Sequence, residues 1–281
     1  MDNEIEIVNA AFPRGDFRAV IFDFDGTLSL LRRNWQNVMI PMMVDILAAT
    51  GTAESREQLY AHVEDYVMRL NGRQTIYQMI RLAEEVAQRG GQPLDPLQYK
   101  HQYHDLLWRQ VGDRVAGVEQ GRIPAEEMTV PGARELLGHL VSRGLTLYLA
   151  SGTDLKYVQR ESHALGLDGF FGPRIYGALD DYKRFSKAIV IERIIGDTGV
   201  AGPRILGFGD GFVEIEEVKR VGGLAVGVAS NEETRSGINA WKRNRLIQAG
   251  ADLIIGNYRN WKTLLNMVLP LGRPGRKVSC S

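Results

Sequence analysis

Three short apolar runs in this chain end in the same kind of break, a small loop that sets an acid or a hydroxyl beside glycine. Residues 18–24 (RAVIFDF) lead into Asp25-Gly26-Thr27, residues 145–150 (LTLYLA) into Ser151-Gly152, and residues 205–209 (ILGFG) into Asp210-Gly211. Runs of this length, rich in β-branched and aromatic residues and bounded by glycine, predict buried strands. Residues 224–229 and 252–255 predict two more, and residues 174–177 (RIYG) a weaker one. Helical patterns lie between them at 131–143, 155–165 and 187–195. Asp154 and Ser186 are placed to cap two of these, and Gly144 and Gly166 to stop two. Strands alternating with helices predict an α/β fold: a parallel sheet covered on both faces, a three-layer αβα core.

The stretch 31–128 has another character. Trp35, Val38, Met39, Met42, Met43, Ile46 and Leu47 repeat at helical spacing, with Pro41 as a kink. Leu59, Val63, Tyr66, Val67 and Leu70 form a second stripe. A third runs from Ile76 to Ala87 with Thr75 as its cap, and a fourth starts at Asp95-Pro96 and reaches about Val111. The expected organisation is therefore an α/β unit of residues 1–30 and 129–270, a helical insertion of residues 31–128, and a loose tail at 271–281.

Composition narrows the partners. Of 281 residues, 34 are Lys or Arg and 34 Asp or Glu, so no net field favours nucleic acid or an acidic membrane surface. With 44% hydrophobic residues the chain can bury a core, unlike a disordered one. No run of 18 apolar residues predicts a membrane span. The acidic start lacks a signal-peptide pattern, and the single cysteine, Cys280, fits a reducing cytoplasm.

In an open parallel sheet, ligands bind at the carboxyl ends of the strands. Asp23, Asp25, Ser151 and Asp210 would converge there with glycine-flanked backbone N–H groups. Hard oxygen donors beside such N–H groups suit an anion together with a divalent cation.

These segments resemble the haloacid dehalogenase superfamily. IFDFDGT is similar to its first motif, LYLASGT to its second, a lysine in 183–187 to its third, and GFGDGFVEIEEVKRVGG to its fourth. The resemblance covers about residues 18–30 and 130–257, and the helical insertion sits where one branch of that family carries a cap domain. It implies that Asp23 is a nucleophile forming an aspartyl-phosphate and that Asp25 is the general acid and base. It implies Ser151 and the Gly152 N–H as phosphate contacts, and Mg²⁺ held by Asp23, Asp210 and the main-chain carbonyl of Asp25. An acid at Asp25 disfavours the dehalogenase and phosphonate-cleaving branches. Lys187 is preferred over Lys183 as the phosphate-site lysine. Glu214, in the position of the motif's second acid, is left between a metal-water contact and an exposed helix start. Arg73, in the polar break 69–74, is the candidate substrate contact of the cap, with Arg32 and Arg33 behind it. Each arginine taken singly reads more readily as a solvated surface residue. His101 and His104 read as ordinary helix-face residues.

The implied activity is a Mg²⁺-dependent phosphatase of a small phosphorylated metabolite, a sugar or polyol phosphate. The alternatives are a sugar phosphomutase of the β-phosphoglucomutase type and a catalytically idle binding protein.

Overall fold

The computed structural model describes residues 5–12 and 14–269. The strands are β1 (Ile5–Ile7), β2 (Ala19–Phe22), β3 (Thr146–Asp154), β4 (Ile175–Ala178), β5 (Ile205–Gly209), β6 (Leu224–Val228) and β7 (Leu253–Ile255). They form one sheet in the order β1-β7-β6-β5-β2-β3-β4. All neighbours are parallel except β1, which pairs antiparallel with β7.

Side chains alternate across a strand, and that alternation builds the layers. Val20, Phe22, Leu147, Leu149, Leu206 and Phe208 bury into one apolar cluster, while Ala19, Ile21, Tyr148, Ala150 and Ile205 bury into a second. The rings of Phe22 and Phe208 stack across β2 and β5 with centroids 4.8 Å apart.

The helical insertion carries α1 (Gln36–Ala48), α2 (Arg56–Arg69), α3 (Thr75–Gln88) and α4 (Pro96–Glu119), and no strand lies among its residues. Around the sheet follow α5 (Ala133–Ser142), α6 (Leu155–Ala164), α7 (Asp168–Phe171), α8 (Lys187–Thr198), α9 (Phe212–Arg220), α10 (Ala240–Gln248) and α11 (Trp261–Val268). Helices α5, α6, α7 and α11 contribute to the first cluster, and α8, α9 and α10 to the second. The chain is thus α/β in three layers. Most buried apolar residues of the insertion belong to the first cluster, continuous with the sheet.

Several local expectations change. Helix α1 runs through Pro41. Thr75 is the first residue of α3 rather than its cap; Gln74 holds the cap position with its side chain turned elsewhere. Helix α4 continues to Glu119, past Val111, with Asp95 and Gln98 forming a capping box. Asp154 precedes α6 but caps nothing with its side chain; its carboxylate forms an ion pair with Lys100 Nζ at 2.5 Å instead. Strand β1 is too short for an alternation signal, and the sequence reading passes over it. No helix among the described residues is long and apolar enough to cross a membrane. The tail 271–281, with Cys280, lies outside the described residues.

Gly177 explains the weakness of the β4 signal. It is buried, and a Cβ there would sit 2.6 Å from the Leu155 Cα and 2.8 Å from the Thr153 carbonyl oxygen. Both obstacles are backbone, so neither can rotate away. Gly177→Ala is expected to cost about 1–3 kcal/mol, as overpacking does, read as a lower urea midpoint at unchanged slope.

Candidate active site

Strand β2 delivers Asp23, whose N–H donates to the Phe208 carbonyl at 2.9 Å. The chain then turns sharply. Gly26 has φ +71°, and its N–H donates to the Ser29 carbonyl at 2.9 Å. A Cβ at Gly26 would collide with the Asp210 carboxylate and lie 2.9 Å from Lys242 Nζ. Glycine is required both for its positive φ and for the close approach of the loop after β5.

Strand β3 extends beyond the expected 150 to Asp154, with a register irregularity between Ala150 and Asp154. Ser151 and Thr153 therefore leave the strand on one side. Thr153 Oγ1 donates to Asp25 Oδ2 at 2.8 Å, and Ser151 Oγ lies 3.4 Å from the same oxygen. Thr153 is a site residue the sequence reading missed, although the i, i+2 spacing from Ser151 could have shown it. Ser186 caps α8 by accepting from the Ile189 N–H at 3.1 Å. That cap starts the helix at Lys187, whose Nζ reaches Asp23 Oδ1 at 2.6 Å. Lys183 is exposed in the preceding turn.

The residues expected at the site meet in one place: Asp23, Asp25, Ser151, Gly152, Lys187 and Asp210 all line a cavity of about 90 Å³. Glu214 is buried, not exposed, and pairs with Lys187. Burial pushes the Asp23 carboxyl up, with Asp210 adding to the push and Lys187 opposing it. Burial likewise pushes Asp25 up to about 7, against the pull of Arg32. Asp25 Oδ1 is buried without a hydrogen-bond partner.

Arg32 corrects the solvated reading. It is only 6% exposed and gives Nε and Nη2 to Glu161, which is fully buried, at 2.6–3.1 Å. Its Nε is 3.9 Å from Asp25 Oδ1. Glu161 shares a helix face with Val158 and Ser162, so an acid on a buried stripe was its sequence signal. Lys242 was not anticipated either. Its ammonium is buried and contacts Asp210 Oδ2 at 2.8 Å, Glu232 Oε1 at 2.6 Å and Ser230 Oγ at 3.2 Å. Ser230 in turn donates to the Gly26 carbonyl at 2.5 Å.

The insertion roofs the cavity with Trp35, Met39, Asn71, Thr75, Gln78 and Tyr103. The roof is shut. A Cβ on Gly72 would lie 3.2 Å from the Gly211 Cα, and one on Gly152 would lie 3.1 Å from the Arg73 carbonyl oxygen. Gln74 Nε2 donates across to the Phe185 carbonyl at 2.7 Å. Arg73 itself lines the cavity but is largely exposed, its guanidinium between the Tyr77 and Phe212 rings. Arg33 is half-buried, away from the cavity lining. His101 is exposed, whereas His104 is buried and stacked on Tyr157, and burial holds its imidazole down at about 2, uncharged.

A family model for haloacid dehalogenase-like hydrolases matches residues 17–222. The chain belongs to that family, and it is a hydrolase. Solved structures with the same fold include a predicted phosphoglycolate phosphatase from Haemophilus somnus, 18% identical, covering 90% of this chain and 100% of that one at a TM-score of 0.60. Another is a haloacid dehalogenase-like protein from Agrobacterium tumefaciens, 18% identical over 89% and 98% of the two chains at 0.58. A β-phosphoglucomutase from Clostridium difficile is 14% identical over 87% and 92% at 0.57. No curated protein matches the sequence.

Among the described residues, no three His, Cys, Asp or Glu side chains are grouped so as to hold a metal ion. The donors still fit magnesium, which takes one or two carboxylates and keeps its waters. Asp23 commits one oxygen to Lys187, and Asp210 one to Lys242. Each carboxylate has a second oxygen, and no thiolate or imidazole lines the cavity to favour a softer ion.

Asp25 makes the metal-free fold sensitive to pH. Its proton is held up to about 7 in the fold, against an ordinary value of 3.8. Between those values the folded chain binds more protons than the unfolded one, so stability falls as pH rises. Asp25 alone contributes a slope of about 1.4 kcal/mol per pH unit inside that window. Asp25→Asn is expected to flatten the decline and to raise the melting temperature at pH 8, measured by scanning calorimetry in EDTA.

Proposed function

We propose that this hydrolase is a Mg²⁺-dependent phosphatase of a small phosphate monoester. The observation that carries the reading is the pair of carboxylates at the end of β2. Asp23 is ion-paired with Lys187, and Asp25 keeps a proton to near neutrality beside it. A nucleophile must be charged and a general acid must hold a proton; burial raises both carboxyls, and what separates them is the Lys187 ammonium on Asp23, which favours its charged form, while Asp25 has no ammonium against it.

In this reading the phosphoryl group sits between Asp23 and the β3 loop. Asp23 attacks phosphorus to give an aspartyl-phosphate. Asp25 protonates the departing ester oxygen, then takes a proton from the water that opens the intermediate. The Ser151 hydroxyl and the Gly152 N–H hold phosphoryl oxygens. Lys187 screens the repulsion between phosphate and Asp23 in a site sheltered from water. Mg²⁺, held by Asp23, Asp210 and the Asp25 carbonyl, would neutralise the charge building on the phosphoryl group. The acid at Asp25 favours ester cleavage, since the leaving alkoxide needs a proton.

The roof supports the substrate class. Asn71, Thr75, Gln78 and Tyr103 offer neutral hydrogen-bonding groups, Trp35 and Met39 an apolar wall, and the two arginines of the lining are engaged elsewhere, Arg32 by Glu161 and Arg73 by the Tyr77 and Phe212 rings. Neutral donors and acceptors suit the hydroxyls of a sugar or polyol phosphate better than a second anion. The net charge of zero gives no attraction for nucleic acid, and the single cysteine fits a cytoplasmic setting.

Two outcomes test the reading on sugar and polyol phosphates. Asp23→Asn keeps the shape and removes the nucleophile, so phosphate release is expected to fall by about 10³ or more in a protein with unchanged circular dichroism. Near-normal release would exclude the aspartyl-phosphate route. Removing metal with EDTA is expected to abolish turnover, and added Mg²⁺ to restore it; full activity without metal would count decisively against Mg²⁺ chemistry.

A further inference from the structure

Helix α2 ends directly above the cavity, and a helix end leaves its last carbonyls without intrahelical partners. Those carbonyls are taken by a residue of the core. Arg245, on α10, donates Nη1 to the Met68 carbonyl. Its Nη2 donates to the Arg69 carbonyl at 2.6 Å and to the Asn71 carbonyl at 3.0 Å. The guanidinium is itself wedged between two rings, 4.7 Å from the Phe212 centroid and 5.2 Å from that of Trp241. This accounts for an otherwise exposed tryptophan, 44% accessible, beside the cleft.

The carbonyls it holds open the loop that shuts the site. Asn71 and Gly72 line the cavity, and Gly72 abuts Gly211, the residue after Asp210. Phe212, under the guanidinium, follows at the start of α9. One planar cation thus grips the roof through α2 and rests on the segment that leaves the metal loop. A cation at a helix C-terminus is favourable, and a guanidinium fork can serve several carbonyls at once where an ammonium would satisfy fewer.

We propose that Arg245 is a positioning residue that holds the Leu70–Arg73 loop closed over the reaction cavity by capping the C-terminus of α2. It touches no reacting atom and acts through Asn71 and Gly72. The kinetic consequence rests on the phosphatase reading above; the structural one does not.

Hydrogen exchange on the full chain tests it without any substrate. The reporters are the amides of Asn71 and Arg73, which donate to Met68 and Leu70 at 3.3 and 3.0 Å. In Arg245→Ala their exchange is expected to speed up about tenfold or more, the scale of losing hydrogen bonds to a charged group. Exchange in β2 and β5 should stay unchanged, and Arg245→Lys should recover part of the protection. Unchanged exchange at Asn71 and Arg73 overturns the proposal. So does a rise spread evenly over the sheet, which would make Arg245 a residue of core stability alone.

The kinetic arm compares substrates. KM for a sugar phosphate is expected to rise about tenfold in Arg245→Ala, because a loop that must order itself reduces apparent affinity. KM for methyl phosphate, too small to reach the roof, should move far less. Equal KM changes on both overturn the positioning role. If the parent protein releases phosphate from neither ester, the phosphatase reading falls while the exchange result still decides the role of Arg245.

Discussion

A nucleophilic carboxylate has to leave water and remain charged, and here Lys187 is the group that works against the cost of burial. Burial pushes the Asp23 proton affinity upward, and the ammonium 2.6 Å away opposes it. Breaking such a pair by removing one partner leaves a buried charge uncompensated, at a cost of about 3–5 kcal/mol. Much of the local architecture serves to place that one contact. Ser186 caps α8 so that the helix starts at Lys187. Glu214, in the first turn of α9, also pairs with that lysine. A lysine at a helix N-terminus opposes the helix dipole, and two carboxylates offset that penalty.

The strand ends were legible because strand periodicity and loop chemistry agree there. Asp23, Asp25, Ser151 and Asp210 each follow an apolar run, and parallel pairing of β2 with β3 and β5 brings their ends to one edge. What escaped was buried charge, on helices at Glu161 and Lys242 and in the turn before α1 at Arg32. Arg32, Glu161 and Lys242 are buried, but a single sequence shows charged residues as surface by default. Glu161 could have been found from its place on a buried stripe. Lys242 could not, since its partners Asp210, Ser230 and Glu232 meet it only in three dimensions. Arg73 shows the converse. Its position in a polar break marked the loop that lines the cavity with Asn71, Gly72 and Arg73, and the Arg73 guanidinium lies against the Tyr77 and Phe212 rings.

The insertion is joined to the α/β core by polar contacts as well as apolar ones. Lys100 pairs with Asp154, Arg32 with Glu161, and Gln74 reaches the Phe185 carbonyl. Such pairs contribute little net stability compared with apolar residues of similar size. They are directional, however, and fix one arrangement of roof and floor. That precision matters where a shift of about 1 Å at a reacting centre costs about a hundredfold in rate.

Glu214 sharpens the charge balance of the floor. The resemblance left it between a metal-water contact and a solvent-facing helix start, and the structure spends it on Lys187. Lys242 shifts the balance the other way by holding one oxygen of Asp210. Five carboxylates, Asp23, Asp25, Asp210, Glu214 and Glu232, line the cavity with Lys187, Arg73 and Arg32, the last already matched by Glu161, and Lys242 adds a second ammonium behind them. Even with Asp25 protonated the floor is short of positive charge before a phosphate dianion arrives. A divalent cation is the direct way to close that gap, and the two lysines, fixed by side-chain length, cannot follow the charge as it moves. In the proposed reaction the lysines therefore set the resting geometry of Asp23 and Asp210, and a divalent cation held by Asp23 and Asp210 would supply the remaining positive charge.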